Sequence, residues 1–239
     1  MRRLALRKSP SEYDDAFMDT MANEYLERTP WTRLRLAALH DLVEPTPGDR
    51  ILDLGCAAGA LTHYLSGLGA SVVGVDSEER AIAKAQSLFP ELQFRKADVA
   101  ELPFGEGSFD KAVAGDLVEH LDDATFRAML GELRRVLVPD GTLSIYTPNP
   151  LHLIERLKAH DLILAQNPTH IGLRTSRELE GIMRDCGFVV DRVLWRASFF
   201  PVLRTVDAIL GRYLQTFRYR LCLRARTVAS VTPGLVTQR

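Results

Sequence analysis

The chain has 239 residues, 46% of them hydrophobic, which is enough for one domain with extensions and a full core. Its formal net charge of −1 excludes a bulk electrostatic drive toward nucleic acid or an anionic membrane. Three cysteines, Cys56, Cys186 and Cys222, are far apart and odd in number, which excludes a disulfide framework or a zinc spacing and fits a reducing cytosol.

The start, Met1-Arg2-Arg3-Leu4, is basic but lacks the long apolar run and cleavage site of a signal peptide. No run approaches ~18 apolar residues, so no transmembrane helix is expected. The expected location is the cytoplasm. Residues 9–28 are predicted to be helical, with Ser9 or Ser11 as cap and Pro10 in the first turn. Tyr13, Phe17, Met21 and Tyr25 recur at helical spacing, a face suited to core packing or to a lid over a cofactor pocket. A second helix spans about 31–43 and is ended by Pro45 and Pro47. Residues 1–45 are thus expected to form an N-terminal helical lid.

Strands then alternate with helices. Strands are predicted at 50–54, 71–75, 92–96, 109–114 and 142–147, and helices at 58–67, 78–88 and 123–137. Pro139-Asp140-Gly141 is a strong turn signal before the fifth strand. This order implies an α/β fold, a doubly wound and mostly parallel sheet that binds ligands outside the carboxyl ends of its strands. Residues 148–174 resemble an irregular or partly helical insertion. Thr175 or Ser176 caps a helix at 176–186, and strand 188–196 follows. Eight apolar residues from Val202 to Phe217 share a helical face over 201–217, and 219–228 alternate as a closing strand. The expected domain is 46–228, with substrate-side insertions at 148–174 and 198–217 and a frayed tail at 229–239.

The chemistry gathers at strand ends. Asp53-Leu54-Gly55-Cys56-Ala57-Ala58-Gly59 joins the first strand to its helix. Its glycines let a ligand approach the backbone, and helix N–H groups point at what sits there. Asp76 ends the second strand with Ser77 beside it, and a carboxylate there can accept from two ribose hydroxyls. Asp98-Val99 ends the third strand, and Gly115-Asp116 the fourth. The G-x-G-x-x-G turn of a hydride-transfer domain is absent.

This set resembles the class I S-adenosylmethionine-dependent methyltransferases over about 50–228, with Ala57 at the middle glycine of the D/E-x-G-x-G-x-G motif. The resemblance implies a seven-stranded sheet closed by antiparallel strands. It also implies S-adenosylmethionine as cofactor and S-adenosylhomocysteine as product, held by Asp53, Gly55, Cys56, Gly59, Asp76, Ser77, Asp98, Val99, Gly115 and Asp116. The pattern is most similar to O-methyltransferases of the ubiquinone pathway, which carry an arginine eighteen residues before the first acid. Arg35 stands there, with Arg33 as a rival, and would grip the cofactor carboxylate.

Methyl transfer to oxygen or nitrogen needs an aligned nucleophile and often a base. His40 and His63 fall in helical patterns and His160 has no motif around it, which leaves His120, His152 and His170. His120 and His170 are the candidate catalytic bases. Asp116-x-x-Glu119-His120 with His170 also resembles the metal-holding set of small-RNA 2′-O-methyltransferases, with Asp116 shorter than the family's Glu. Thr147-Pro148-Asn149-Pro150 echoes both families. No metal is assigned. Phe199-Phe200 and the arginines at 218, 220, 224 and 226 suit a lipophilic acceptor or peripheral membrane contact, although arginines alternating along a strand also suit a solvated face. The reading is a methyltransferase acting on oxygen of a small or lipophilic molecule. A metal-assisted RNA 2′-O-methyltransferase and a non-catalytic cofactor-binding scaffold are the alternatives. The near-neutral charge speaks against the first, and the acid set with His120 against the second.

Overall fold

The computed structural model describes residues 15–160, 167–199 and 201–228. Seven strands make one sheet: β1 (Arg50–Leu54), β2 (Ser71–Asp76), β3 (Gln93–Lys96), β4 (Phe109–Gly115), β5 (Leu137–Pro148), β6 (Phe188–Arg196) and β7 (Arg220–Thr227). Their order is β3-β2-β1-β4-β5-β7-β6. Pairings from β3 through β5 are parallel, and β7 runs antiparallel to both β5 and β6. Strand order therefore reverses between β1 and β4, the crevice where ligands of such sheets bind.

Among the described residues, eight helices flank the sheet: α1 (Asp15–Leu26), α2 (Pro30–Val43), α3 (Ala60–Ser66), α4 (Glu79–Leu88), α5 (Asp123–Val136), α6 (Leu153–Ala159), α7 (Ser176–Asp185) and α8 (Pro201–Leu210). Alternate residues of each inner strand feed two cores. Ile51, Val72, Val113 and Cys222 meet Leu39 and Leu42 of α2 and Leu65 of α3 on one face. Leu52, Leu54, Leu143 and Leu223 meet Phe126, Met129, Leu130 and Leu133 of α5 and Leu179 and Met183 of α7 on the other. With both faces covered, β1 and β4 read as near-continuous apolar runs. Along α5, Phe126, Met129, Leu130, Leu133 and Val136 are fully buried at helical spacing, and Asp122 caps the helix through the Thr125 N–H. At roughly 2 kcal/mol per side chain, that face contributes about 10 kcal/mol of burial.

Several boundaries differ from expectation. The first helix is described from Asp15, so Ser9, Pro10, Ser11 and Tyr13 lie outside the described residues, as do 161–166, Phe200 and the 229–239 tail. Pro139-Asp140-Gly141 does not precede the fifth strand but sits inside it. Asp140 takes φ +61, and the register jumps from Phe109↔Leu137 to Lys111↔Thr142, so a bulge absorbs the turn. The helix expected over 201–217 ends at Leu210. Gly211 packs so closely that a Cβ would lie 2.5 Å from the Asp207 carbonyl oxygen, and Tyr213 and Leu214 are exposed. The capping box of Thr175 and Glu178 on α7 is present. All three cysteines are free. No helix among the described residues is long and apolar enough to cross a membrane.

Candidate active site

The turn after β1 takes left-handed backbone at Gly55 (φ +66), Ala57 (φ +46) and Gly59 (φ +82). Gly59 is required twice over, since a Cβ there would also lie 2.7 Å from the Phe94 ring. This geometry aims the Ala57 N–H at Asp76, whose Oδ2 accepts it at 3.0 Å, while Oδ1 accepts from the Glu78 N–H at 2.9 Å. Asp76 is buried, and burial raises its pKa against those two bonds. Asp53 is buried too, and accepts from Thr62 Oγ1 at 2.7 Å. Burial pushes it up to about 7, opposed by the Thr62 bond and the Arg35 charge. Cys56 packs against Phe94 and Ala85, with burial raising its thiol pKa. Ser77 and Asp98 are exposed, Val99 is buried, and Asp98 Oδ1 accepts from the Ala100 N–H at 2.8 Å. Asp53, Asp76 and Asp98 thus end three neighbouring strands, spread over about 10 Å at ~4.8 Å per strand. That span and set of acceptors fit an adenosyl group.

Across the crevice, Asp116 follows β4 in left-handed backbone (φ +58). Arg35 reaches it from α2: Nε donates to Oδ2 at 2.7 Å, and Nη2 donates to the Gly115 carbonyl at 3.0 Å. A side chain at Gly115 would intrude, its Cβ falling 3.0 Å from Arg35 Nη2. The rival Arg33 is exposed. From β7, Arg220 Nη1 lies 3.1 Å from Asp116 Oδ1. Burial alone would raise the Asp116 pKa, but the charges of Arg220 and Arg35 prevail and hold it below the usual carboxylate range.

Arg220 overturns one expectation. Along β7, Arg224 and Arg226 do turn outward and pair with Glu44 and Asp191, and Arg218 lies over the Trp195 ring. Arg220 instead turns inward, its side chain 12% exposed with Nε and Nη1 covered, and its guanidinium 5.2 Å from the Trp31 ring, 5.5 Å from Tyr146 and 5.0 Å from Tyr219. Trp31, at the start of α2, covers this end of the strand, a contact that alternation along β7 could not announce.

Beyond β4 a short 3-10 turn, Val118–His120, carries Glu119 and His120. Glu119 is buried and accepts from Thr147 Oγ1 at 2.9 Å. Burial, with Asp116 nearby, pushes it up to about 8. His120 Nδ1 lies 3.2 Å from the Thr169 carbonyl. A carbonyl only accepts, so we assign the proton to Nδ1, which leaves Nε2 as an acceptor. The His170 ring stands 4.9 Å from His120 at 83°, and its Nδ1 is buried with no partner. Burial first, and then the His120 charge, lowers the His170 pKa to about 4. Ligand-capable atoms of Glu119, His120 and His170 lie within 4.8 Å of one another, a set able to hold a metal ion. Asp116, which the sequence pattern joined to them, is not in this group.

What brings His170 to His120 is Arg174. This buried arginine donates to the carbonyls of Val118 (3.0 Å), Gly172 (2.9 Å) and Leu121 (2.8 Å), and to Asp123 Oδ1 (2.7 Å). The Gly172 N–H donates to the Glu119 carbonyl at 2.8 Å, an approach only glycine allows, since a Cβ would lie 2.0 Å from the Leu121 oxygen. His152 also has a clear place. It is buried, its Nδ1 accepts from the Ile154 N–H to cap α6, and its Nε2 lies 3.2 Å from Asp207 Oδ1 of α8. This ties α6 to α8. Glu155 is buried beside them, with Oε1 on Lys158 and Oε2 without a partner. The remaining histidines stand apart from the site: His40 bonds Tyr64, His63 bonds Tyr25, and His160 is exposed.

Comparison with known proteins shows what the chain is similar to. Residues 51–141 match a family described as a methyltransferase domain. The chain is 30% identical over 182 residues to a Mycobacterium tuberculosis protein named as a probable S-adenosylmethionine-dependent methyltransferase, covering 76% of this chain and 63% of that one. It is 36% identical over 137 residues to the mitochondrial ubiquinone biosynthesis O-methyltransferase of Bos taurus, covering 53% of this chain and 36% of that protein. The chain therefore spans less than two thirds of these curated relatives. A Haloferax volcanii methyltransferase, solved with a methyltransferase activator, shares the fold with a TM-score of 0.65 and 20% identity, over 91% of this chain and 97% of that one.

Proposed function

Residues 51–141 carry a methyltransferase domain of the S-adenosylmethionine-dependent kind, and from that premise we propose that this chain methylates an oxygen of a small or lipophilic molecule. The observation that carries the reading is the pairing of His120 and His170 across from the Asp53–Asp76–Asp98 edge. A scaffold needs the second group of residues only to bind cofactor; an enzyme needs the first as well.

In this reading, Asp76 accepts from the ribose hydroxyls, Asp98 from the adenine amine, and Val99, Ser77 and Cys56 line the adenosyl group. Gly55 and Gly59 let it approach. Arg35, with the backbone at Gly115 and Asp116, meets the amino-acid end, and Asp53 steadies Arg35 from behind. Bound there, S-adenosylmethionine supplies a methyl group on a sulfonium and leaves as S-adenosylhomocysteine. His170 Nδ1 takes the proton of the acceptor hydroxyl. A base with a pKa of about 4 is free at neutral pH but weak, so the proton leaves as the methyl arrives and not before. His120, held by the Thr169 carbonyl, orients the pair.

Helices α1 and α2 act as the lid over this site, and 46–228 as the catalytic domain. Exposed Leu151, Leu153, Ile171, Ile209 and Leu214 on the substrate-side segments favour a lipophilic acceptor and peripheral membrane contact, in the cytoplasm. RNA is disfavoured, because Arg224 and Arg226 are committed to acidic partners. A second reading rests on the Glu119, His120 and His170 cluster: a divalent cation there would lower the acceptor hydroxyl's pKa. Loss of activity on exhaustive chelation, restored by magnesium or manganese, would select it over the histidine base.

The test has two parts. Calorimetry with S-adenosylhomocysteine should give tight binding that Asp76→Ala abolishes. Methyl-labelled cofactor offered with a panel of phenols, alcohols and amines should label a hydroxyl compound. Cofactor binding at near-normal strength in Asp76→Ala would overturn the site, and labelling confined to amines would overturn the acceptor atom.

A further inference from the structure

We propose that Glu155 selects the acceptor: its free carboxylate oxygen takes a hydrogen bond from a neutral N–H or O–H that the acceptor carries apart from the hydroxyl to be methylated. This rests on the methyltransferase reading above and adds a second group that the substrate must display.

A carboxylate is costly to bury with an oxygen unused. Glu155, on α6, is 4% exposed. Lys158 Nζ donates to Oε1 at 2.9 Å, while Oε2 has no partner. The ion pair would form equally well at the surface and gives no reason for burial. A glutamate at the third position of a helix can also reach back to the capping residue's N–H. Here the His152 N–H goes to the Asn149 carbonyl at 3.0 Å, and the His152 side chain takes the Ile154 N–H, so that role is not filled by Glu155. Nor does Glu155 belong to the cation-capable set of Glu119, His120 and His170.

Its surroundings are those of the acceptor. The Glu155 charge bears on His170, His152 and Tyr219, so the carboxylate shares their space. His170 Nδ1 is likewise buried without a partner. Ser198, whose N–H bonds Asp207, leaves its Oγ unused as well. The His152–Asp207 bond holds α6 against α8, and the His152 ring stands 5.1 Å from Tyr219, so Glu155 is fixed before a ligand arrives. A carboxylate oxygen only accepts, so its partner must be a donor. Lys158 already balances the charge, and Lys158 and Arg220 both act on His170 as cations, so a neutral donor fits where an ammonium would be repelled. An acceptor that spans the two unused atoms gives its reacting hydroxyl to His170 and its second donor to Glu155.

Meta- and para-aminophenol, set against meta- and para-cresol, test this on the full chain loaded with S-adenosylhomocysteine. Near neutral pH all four are uncharged and carry the same phenol; only the amine donates where the methyl cannot. Calorimetry should show at least one aminophenol binding about tenfold or more tightly than its matching cresol, the scale of a hydrogen bond to a charged group. Resorcinol replaces the amine by an O–H; whichever of it and meta-aminophenol binds more tightly names the donor. Glu155→Leu should erase the preference, Glu155→Gln should keep part of it through its carbonyl, and cofactor affinity should stay within about twofold in both. A wild-type protein with no preference for any of the donor-bearing phenols over the cresols would overturn the proposal, and needs no variant to fold. Glu155→Leu weakening aminophenol and cresol alike would also overturn it, by leaving the residue a structural role only. Failure of the wild-type protein to bind S-adenosylhomocysteine would instead sink the methyltransferase reading itself.

Discussion

Arg35 and Asp116 are 81 positions apart in the chain, yet Arg35 Nε lies 2.7 Å from Asp116 Oδ2. The same guanidinium bonds the Gly115 carbonyl, so one side chain of α2 fixes the carboxyl end of β4. Removing it leaves a half-buried carboxylate with Arg220 alone. Arg35→Ala should weaken S-adenosylhomocysteine by about 100-fold and destabilise the fold by about 2 kcal/mol, the scale of hydrogen bonds to a charged group. Calorimetry and urea unfolding read the two effects separately. Unchanged cofactor affinity would show that the arginine is structural only.

Glu119 gives a pH signature. Its native pKa of about 8 lies above its ordinary value of 4.5, so the native state keeps a proton that the unfolded chain has released. Stability therefore falls as pH rises between those two values, by at most about 1.4 kcal/mol per pH unit. Glu119→Gln keeps an acceptor for Thr147 and cannot ionise. Its Tm should fall less between pH 5 and 8 than that of the wild-type protein, and parallel Tm profiles would contradict the account.

His170 shifts the opposite way. With a native pKa of about 4 against an ordinary 6.5, it stays neutral where the unfolded chain protonates, so its contribution makes stability rise with pH across that interval. In catalysis, the acid limb assigned to it should fall near pH 4 and not near 6.5. His170→Gln should lower kcat by about 10²–10⁴, the usual share of a general base, with cofactor affinity retained. Steady-state rates across pH, paired with calorimetry, make the check.

Ala57 occupies left-handed backbone that glycine favours. Ala57→Gly should be neutral to about 1 kcal/mol stabilising, as relief of strain offsets lost chain stiffness, and should keep cofactor binding. Ala57→Val should lose binding, because a branched side chain resists that conformation and shifts the N–H that Asp76 accepts. Thermal melts and cofactor titration of both variants separate strain from contact.

The fold was legible where local signals suffice. Apolar runs ending in Gly55, Asp76 and Gly115 located β1, β2 and β4, because a strand covered on both faces must be apolar and a ligand turn must be small. Pro139-Asp140-Gly141 misled, since a turn signal does not say whether the partner strand will accommodate it as a bulge. Arg220 was hidden for another reason. Its neighbours Arg224 and Arg226 obey the same alternation and are outward, and only the packing of Trp31 over the strand end separates them. His152 and Asp207 pair across 55 positions, and Arg174 staples carbonyls 53 and 56 positions back and the Asp123 carboxylate 51 back. Such contacts leave no periodicity to read. The candidate bases His120 and His170 were visible as motif residues, but the staple that joins them was not.

The central claim is that the strand edge holds the cofactor with its methyl directed at the His120–His170 pair. A crystal structure with S-adenosylhomocysteine tests it most directly. The account predicts ribose hydroxyls on Asp76, the adenine amine at Asp98, and the sulfur facing His170. A cofactor seated elsewhere, or one whose sulfur points away from both histidines, would contradict it.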